Sequence, residues 1–205
     1  MIVITGTQRS GTSLMARYMS SCGYDLGTNF WDTRIDGGLE NPDVCNFFRD
    51  ILGDNHFPFF KFWEMIERNH FYSFHNLHEH NKIVKFSYLL MQPKFVRQWY
   101  IARGNQDRFI VMTRNLEDVL RSKNSREEFY DEDWSGLNLS LTRLRKSREQ
   151  SLEAMKRYGM EYVEVRFPCE PDVVQQFRDF KVPLPNNAEK IWSDIYNPTK
   201  IHFHE

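Results

Sequence analysis

The stretch Ile2-Val3-Ile4-Thr5-Gly6-Thr7-Gln8-Arg9-Ser10-Gly11-Thr12-Ser13 decides the fold of this chain. It begins with a short apolar run rich in β-branched residues, which predicts a buried strand. After it, apolar residues recur at spacings of three and four as far as Cys22, which predicts an amphipathic helix closed by Gly23. Between strand and helix, two glycines allow backbone N–H groups to surround an anion at the helix N-terminus. The stretch therefore predicts a loop that binds a phosphate-like group.

The rest of the chain repeats the alternation of strand and helix. Further strands are predicted at 82–87, 108–113 and 162–167, and helices at 93–102, from residue 116 onward, at 138–158 and at 173–180. This alternation predicts an α/β protein, a three-layer α/β/α sandwich like that of P-loop nucleotide kinases. Its sheet is expected to be mainly parallel, with about four to five strands and ligands at their carboxyl ends.

Length and charge set broad limits. With 205 residues, the chain is expected to form one domain over 1–205, with 186–205 as a partly ordered C-terminal tail. Lysine and arginine number 27 against 28 acidic residues, so the net charge is −1. This balance gives no bulk attraction to nucleic acid or to an anionic membrane, and any anion site must be local.

Cysteine usage and hydropathy indicate the compartment. Cys22, Cys45 and Cys169 are widely spaced and odd in number, which fits reduced thiols better than a disulfide framework. No run approaches the ~18 apolar residues of a membrane helix, and no basic-then-apolar leader precedes the first strand. We expect a cytoplasmic protein without membrane association.

The loop departs from the nucleotide-kinase pattern at one position. Gly6-x4-Gly11-x-Ser13 has Walker-type spacing, but Thr12 stands where those enzymes need lysine, and the cation comes earlier, at Arg9. Arg9-Ser10-Gly11-Thr12-Ser13 resembles the 5′-phosphosulfate loop of the sulfotransferases that use 3′-phosphoadenosine 5′-phosphosulfate (PAPS). Golgi-type members carry an N-terminal membrane anchor, which this sequence does not show. Either an anchor preceded Met1 or, as we expect, the protein is of the bacterial or phage type.

A second signature follows the strand predicted at 108–113. Arg114-Asn115-x2-Asp118-Val119-x2-Ser122 is similar to the 3′-phosphate site of the same family, in which an arginine ending a strand and a serine further on bind the 3′-phosphate. Arginine suits this role because its planar guanidinium bonds phosphate in a bidentate manner. Asn115 is the predicted cap of the helix that starts here.

The resemblance implies a reaction and roles for these residues. It implies transfer of a sulfuryl group from PAPS to a hydroxyl or amine of a small-molecule or carbohydrate acceptor, without a metal. The loop Arg9-Ser10-Gly11-Thr12-Ser13 would bind the 5′-phosphosulfate, and Arg114 and Ser122 the 3′-phosphate. Arg9 and Lys85 would offset developing charge, Lys85 being similar to the lysine of the family's Lys-Thr-His motif.

The catalytic base is less well defined. The histidine of that motif would fall at Ser87, so the base must come from elsewhere. We choose Glu40, with Asp36, Asp43 or a histidine as alternatives. The cluster His70, His75, His78 and His80 could hold a metal, but its spacing favours a polar surface stretch.

Several alternatives stay open. Arg148 interrupts the apolar stripe of the helix at 138–158; it either extends to solvent, which we favour, or reaches an anion from the core side. A P-loop kinase or NTPase and a non-catalytic protein that binds PAPS or its desulfated product PAP are the alternative functions. The acceptor's identity and the oligomeric state do not follow from the sequence.

Overall fold

A computed structural model describes residues 1–7, 9–26, 44, 83–127, 141–169 and 172–196. These residues include four strands: β1 (Ile2–Gly6), β2 (Ile83–Lys85), β3 (Arg108–Thr113) and β4 (Glu161–Arg166). The strands form one parallel sheet in the order β2-β1-β3-β4. The predicted α/β fold with a parallel sheet is confirmed.

Helices lie between and after the strands. They are α1 (Thr12–Ser21), a short 3₁₀ helix (Leu89–Met91), α2 (Pro93–Arg103), α3 (Leu116–Glu127), α4 (Leu141–Arg157), α5 (Val173–Asp179) and α6 (Ala188–Ile195). Pro93 occupies the first turn of α2, where its missing N–H is not needed. The Asn115 side chain accepts a 2.8 Å hydrogen bond from the backbone N–H of Glu117 at the start of α3, as its capping role predicts. No helix in these described ranges is long and apolar enough to cross a membrane.

The sheet has a hydrophobic core on each face. Because side chains alternate along a strand, Ile2 and Ile4 of β1 pack with α1, α5 and α6, whereas Val3 packs with α2 and α4. The same division holds in β3, where Ile110 and Met112 join the first core and Phe109 and Val111 the second. Helices therefore cover both faces, as expected of a parallel sheet.

The chain leaves β1 and β3 toward opposite faces of the sheet, and the point where the two connections separate locates the candidate site. These two strands are neighbours in the sheet, with Gly6 opposite Met112. β1 leads into α1 on one face, whereas β3 leads into α3, which packs through Leu116 and Val119 on Leu144 of α4. A crevice outside the carboxyl ends of adjacent strands forms at such a divergence, and ligands of open α/β sheets bind there.

The C-terminal region differs from the sequence expectation. Residues 188–195 of the predicted tail form α6, whose Ala188 and Trp192 are buried. The Trp192 ring lies edge-on to Tyr18 of α1, with centroids 5.0 Å apart, and stacks on Tyr196 at 4.9 Å. A helix of two turns carries too few apolar positions for its periodicity to stand out in the sequence, so α6 itself was not predicted within the partly ordered tail. Residues 197–205 lie outside the described residues.

Candidate functional site

The loop after β1 is a tight turn built on two left-handed residues. Arg9 has φ +66° and Gly11 has φ +86°, and both the backbone N–H and the hydroxyl of Ser10 donate to the carbonyl oxygen of Thr7. The Gly11 carbonyl then accepts from Met15, which begins the hydrogen bonding of α1. Residues of alternating handedness turn successive N–H groups to one side and create an anion-binding concavity. A non-glycine residue at positive φ is uncommon and occurs disproportionately at functional sites.

Both glycines are required by close contacts. A Cβ on Gly6 would lie 2.4 Å from the carbonyl oxygen of Met112 in the neighbouring strand. A Cβ on Gly11 would lie 2.5 Å from the ring of Phe167. The loop is therefore packed directly against the ends of β3 and β4, and no larger residue fits at either position without displacement.

The two sequence signatures are in direct contact. Arg9 Nε donates to Ser122 Oγ of α3 at 3.2 Å, and Arg114 donates from a terminal nitrogen to the carbonyl oxygen of Arg9 at 3.0 Å. The residues joined by these bonds are 113 and 105 positions apart in the chain. The predicted 5′ and 3′ elements thus form one continuous site at the crevice between β1 and β3.

Arg114 is only 9% exposed, and its burial and its neighbours affect the pKa of its guanidinium. Burial lowers the pKa of its guanidinium, while neighbouring Asp118 opposes that change. The guanidinium carbon lies 5.4 Å from the centroid of the Phe167 ring, within range of a cation–π interaction. Arg148, which we expected to extend to solvent, is half-buried and donates to the Arg114 carbonyl oxygen at 3.5 Å.

Lys85 lies on the other side of the loop, at the end of β2. It is 4% exposed and shares the face of the sheet with Ile83, which packs in the core formed by α1. Two residues later, Ser87 and the first residue of α1, Thr12, place their hydroxyl oxygens 3.1 Å apart, and both side chains are buried. The chain after β2 therefore lies against the start of α1, beside the anion loop.

The predicted donor-site residues all lie at this edge of the sheet. They are Arg9, Ser10, Gly11, Thr12, Ser13, Lys85, Arg114 and Ser122. The proposed base Glu40, its alternatives Asp36 and Asp43, and the histidines of 70–80 lie outside the described residues. Within the described part of the chain, no group of three or more His, Cys, Asp or Glu residues could hold a metal ion.

Sequence reasoning missed two residues at this edge and misjudged a third. No sequence motif marks Phe167 or the contact of Ser87 with Thr12. Arg148 was expected to extend to solvent. Phe167 follows directly on a predicted strand, so the rule that parallel strands end at the ligand edge could have drawn attention to it.

No protein-family model matches the chain, and no curated protein is significantly similar to it. The chemistry of the site follows from its own residues. They combine a turn of the kind that presents N–H groups with cationic side chains from the ends of β1, β2 and β3. This arrangement suits a ligand with two neighbouring anionic groups.

Proposed function

We propose that this protein is a PAPS-dependent sulfotransferase of the bacterial or phage type, acting on a hydroxyl or amine of a small-molecule or carbohydrate acceptor. One observation carries the proposal: the anion loop and the Arg114–Ser122 element touch through the Arg9–Ser122 and Arg114–Arg9 hydrogen bonds, 3.2 and 3.0 Å long. PAPS bears a phosphosulfate on its ribose 5′ position and a phosphate on the 3′ position. A protein that binds it needs two anion sites side by side.

In this proposal the loop binds the phosphosulfate end. The backbone N–H groups at Gly11 to Ser13 and the positive end of α1 face the 5′-phosphate, and the Ser13 hydroxyl adds a donor. Arg9 and Lys85 stabilise the charge that develops as the sulfuryl group leaves. As in phosphoryl transfer, positioning and charge stabilisation contribute most of the rate enhancement, and buried cations act strongly because water is excluded.

Arg114 and Ser122 bind the 3′-phosphate and select PAPS over nucleotides that lack it. The guanidinium supplies two parallel donors, and its partial burial strengthens the attraction to phosphate. Thr12 supports the choice of donor, since a neutral hydroxyl facing Ser87 stands where a nucleotide kinase places its lysine.

The acceptor oxygen or nitrogen forms the new bond to sulfur, the bond from sulfur to the phosphate oxygen of PAPS breaks, and PAP leaves. A protein base must take the acceptor's proton, and we propose Glu40, with Asp36, Asp43 or a histidine as alternatives. We also propose a cytoplasmic location, because Cys22 and Cys169 are both free thiols.

Calorimetric titration with PAP, adenosine 5′-phosphate and ATP·Mg²⁺ tests the proposal. We expect the wild type to bind PAP at micromolar concentration and the other two much more weakly. Arg114→Ala should weaken PAP by about 10- to 150-fold, which is about 1.5–3 kcal/mol for a lost charged hydrogen bond. It should leave the weak binding of adenosine 5′-phosphate unchanged.

Arg157→Ala is the matched control, because Arg157 is exposed at the end of α4, next to the opposite edge of the sheet. It removes the same charge and should not change PAP affinity. Failure of the wild type to bind PAP, or equal weakening of PAP and adenosine 5′-phosphate by Arg114→Ala, contradicts the two-phosphate site. Tight ATP·Mg²⁺ binding instead would support the kinase or NTPase alternative.

Turnover of labelled PAPS with a panel of sugars and phenols separates an enzyme from a non-catalytic binder. Glu40→Gln should abolish turnover while retaining PAP affinity. Turnover that survives Glu40→Gln, Asp36→Asn and Asp43→Asn together would exclude all three carboxylates as the base.

A further inference from the structure

Phe167 lies between the two anion-binding elements. It is the first residue after β4, is 8% exposed, and its backbone N–H donates to the Thr113 carbonyl oxygen at 2.6 Å. Its ring fills the space that a Cβ on Gly11 would occupy, at 2.5 Å, and lies 5.4 Å below the guanidinium carbon of Arg114. One aromatic ring thus contacts the turn of the loop and the arginine that ends β3.

We propose that Phe167 is a positioning residue, which holds the Arg114 guanidinium and the Gly11 turn in the relative placement that an anionic ligand needs. The inference rests on the proposed function only for the choice of PAP as ligand. Phe167 acts through Arg114 and the loop.

The physical reason lies in how a ring stabilises a buried cation. The negative face of an aromatic ring attracts a guanidinium and replaces part of its lost hydration. Unlike a carboxylate, the ring does not neutralise the charge of the guanidinium. The hydrogen bond from Arg114 to the Arg9 carbonyl oxygen then fixes the orientation of the planar guanidinium. Each such restraint lowers the entropy that ligand binding must remove.

The backbone supports the same role. The hydrogen bond from Phe167 to Thr113 extends the β3–β4 pairing one residue past the strands, up to the position before Arg114. The ring is therefore placed by the sheet itself rather than by a loop, and sites built on sheet elements are held more accurately.

The test compares three variants. Phe167→Leu keeps apolar bulk but removes the ring face, Phe167→Tyr keeps the ring face, and Phe177→Leu makes the same change at a buried phenylalanine of α5. For each we would measure the melting temperature, the NMR order parameter of the Arg114 Nε–Hε bond without ligand, and the PAP dissociation constant. The Arg114 signal is assigned by its loss in Arg114→Ala.

We expect Phe167→Leu to lower the Arg114 order parameter and to weaken PAP by about 3- to 30-fold, the range of a cation–π contact. Phe167→Tyr should restore most of both. Phe177→Leu should lower the melting temperature yet leave the Arg114 order parameter and PAP affinity unchanged, which a merely structural role of Phe167 would not predict.

The outcomes separate this inference from the proposed function. If the wild type binds PAP, an unchanged Arg114 order parameter or an unchanged PAP affinity in Phe167→Leu overturns the inference and leaves the function standing. If the wild type does not bind PAP, the proposed function fails, and the Arg114 order parameter alone decides. Its fall in Phe167→Leu, with recovery in Phe167→Tyr, supports the positioning role, and no change overturns it.

Discussion

Buried charged residues have different kinds of neighbours at the two ends of the parallel strands, called here the amino edge and the carboxyl edge of the sheet. At the amino edge, Asp107 accepts from Arg103 Nε at 2.5 Å, from a terminal Arg103 nitrogen at 2.8 Å and from the Trp99 indole at 3.0 Å. All three side chains are buried. Burial by itself would raise the pKa of Asp107, but the Arg103 guanidinium and the Trp99 indole bring it below its ordinary value. This edge holds a compact buried cluster, in which the Asp107 carboxylate bonds the Arg103 guanidinium and lies 3.3 Å from the Met1 ammonium nitrogen.

At the carboxyl edge, cationic residues from three strand ends converge instead. The contacts of Arg9, Arg114 and Arg148 include a hydroxyl and two backbone carbonyl oxygens, groups that orient a guanidinium without neutralising it. The Asp118 carboxylate acts on Arg114 as a nearby charge and opposes the lowering of its pKa. The comparison teaches that burial of a charge does not by itself mark a binding site. The kind of group it contacts distinguishes an edge that stabilises the fold from an edge suited to an anion.

Breaking the amino-edge pair should give the largest effect. Asp107→Ala leaves the buried Arg103 charge uncompensated and should lower the free energy of unfolding by about 3–5 kcal/mol, measured by urea denaturation. PAP affinity of the folded fraction should not change. The matched control is Asp194→Ala, which removes an exposed 2.7 Å pair with Lys190 and should cost only about 0.3–0.5 kcal/mol. Equal losses in the two variants would contradict the comparison.

The pH dependence of stability gives a second check of that pair. The folded pKa of Asp107 lies below its unfolded value, so its contribution is full above the unfolded pKa of about 3.9 and is lost as pH falls through the folded pKa. Acid should therefore destabilise the wild type by about 1.4 kcal/mol for each unit of that pKa difference. Asp107→Asn should show a correspondingly shallower loss over the same range.

At the carboxyl edge, Gly11→Ala should cost about 2–5 kcal/mol of unfolding free energy, the sum of a left-handed residue and an overpacked ring contact. Gly23→Ala is the control, because Gly23 also has positive φ (+95°) but a Cβ there meets nothing within 4 Å. It should cost only the conformational part, about 1–2 kcal/mol. Gly11→Ala alone should abolish PAP binding, and equal effects of both variants would show that the Phe167 contact is unimportant.

The smallest expected effect comes from Ser122. Ser122→Ala removes one neutral donor and should weaken PAP by about 1 kcal/mol, roughly fivefold, without changing the free energy of unfolding by more than about 0.5 kcal/mol. Ser193→Ala, an exposed serine that bonds the Lys190 carbonyl in α6, should leave PAP affinity unchanged. If Ser122→Ala lowered the free energy of unfolding by more than it weakened the free energy of PAP binding, Ser122 would stabilise the fold rather than bind the ligand.

Much of the fold followed from local pattern. The strand predicted at 108–113 has the bounds observed for β3, because its apolar, β-branched run is flanked by polar residues at both ends. The second strand ended earlier than predicted: β2 stops at Lys85, since the backbone turns at Ser87 into the short 3₁₀ helix, although Phe86 still donates to the Ile4 carbonyl oxygen. Hydropathy alone does not mark where such a turn begins.

The candidate site was predictable where a motif is contiguous and not where it depends on packing. The resemblance to the sulfotransferase motifs was sufficient to single out Arg9 and Arg114, because each stands in a short contiguous run. Phe167 and Arg148 act through neighbours far away in the chain, and an aromatic after a strand or a basic residue on a helix has no distinctive spacing. Those two roles required the assembled structure.

By itself, the sequence determined the elements: the β-branched run of β1, the two glycines that permit the turn, and the order of strands and helices. Only the tertiary structure decided that β1 lies beside β3, with β2 and β4 outside them. That order brings Arg9 to Ser122 across 113 positions, whereas Arg103 and Asp107 pair across four. The Arg103–Asp107 pair is set by the short turn through Gly104 that joins α2 to β3. A distant pair depends on strand order, which alternating elements do not specify.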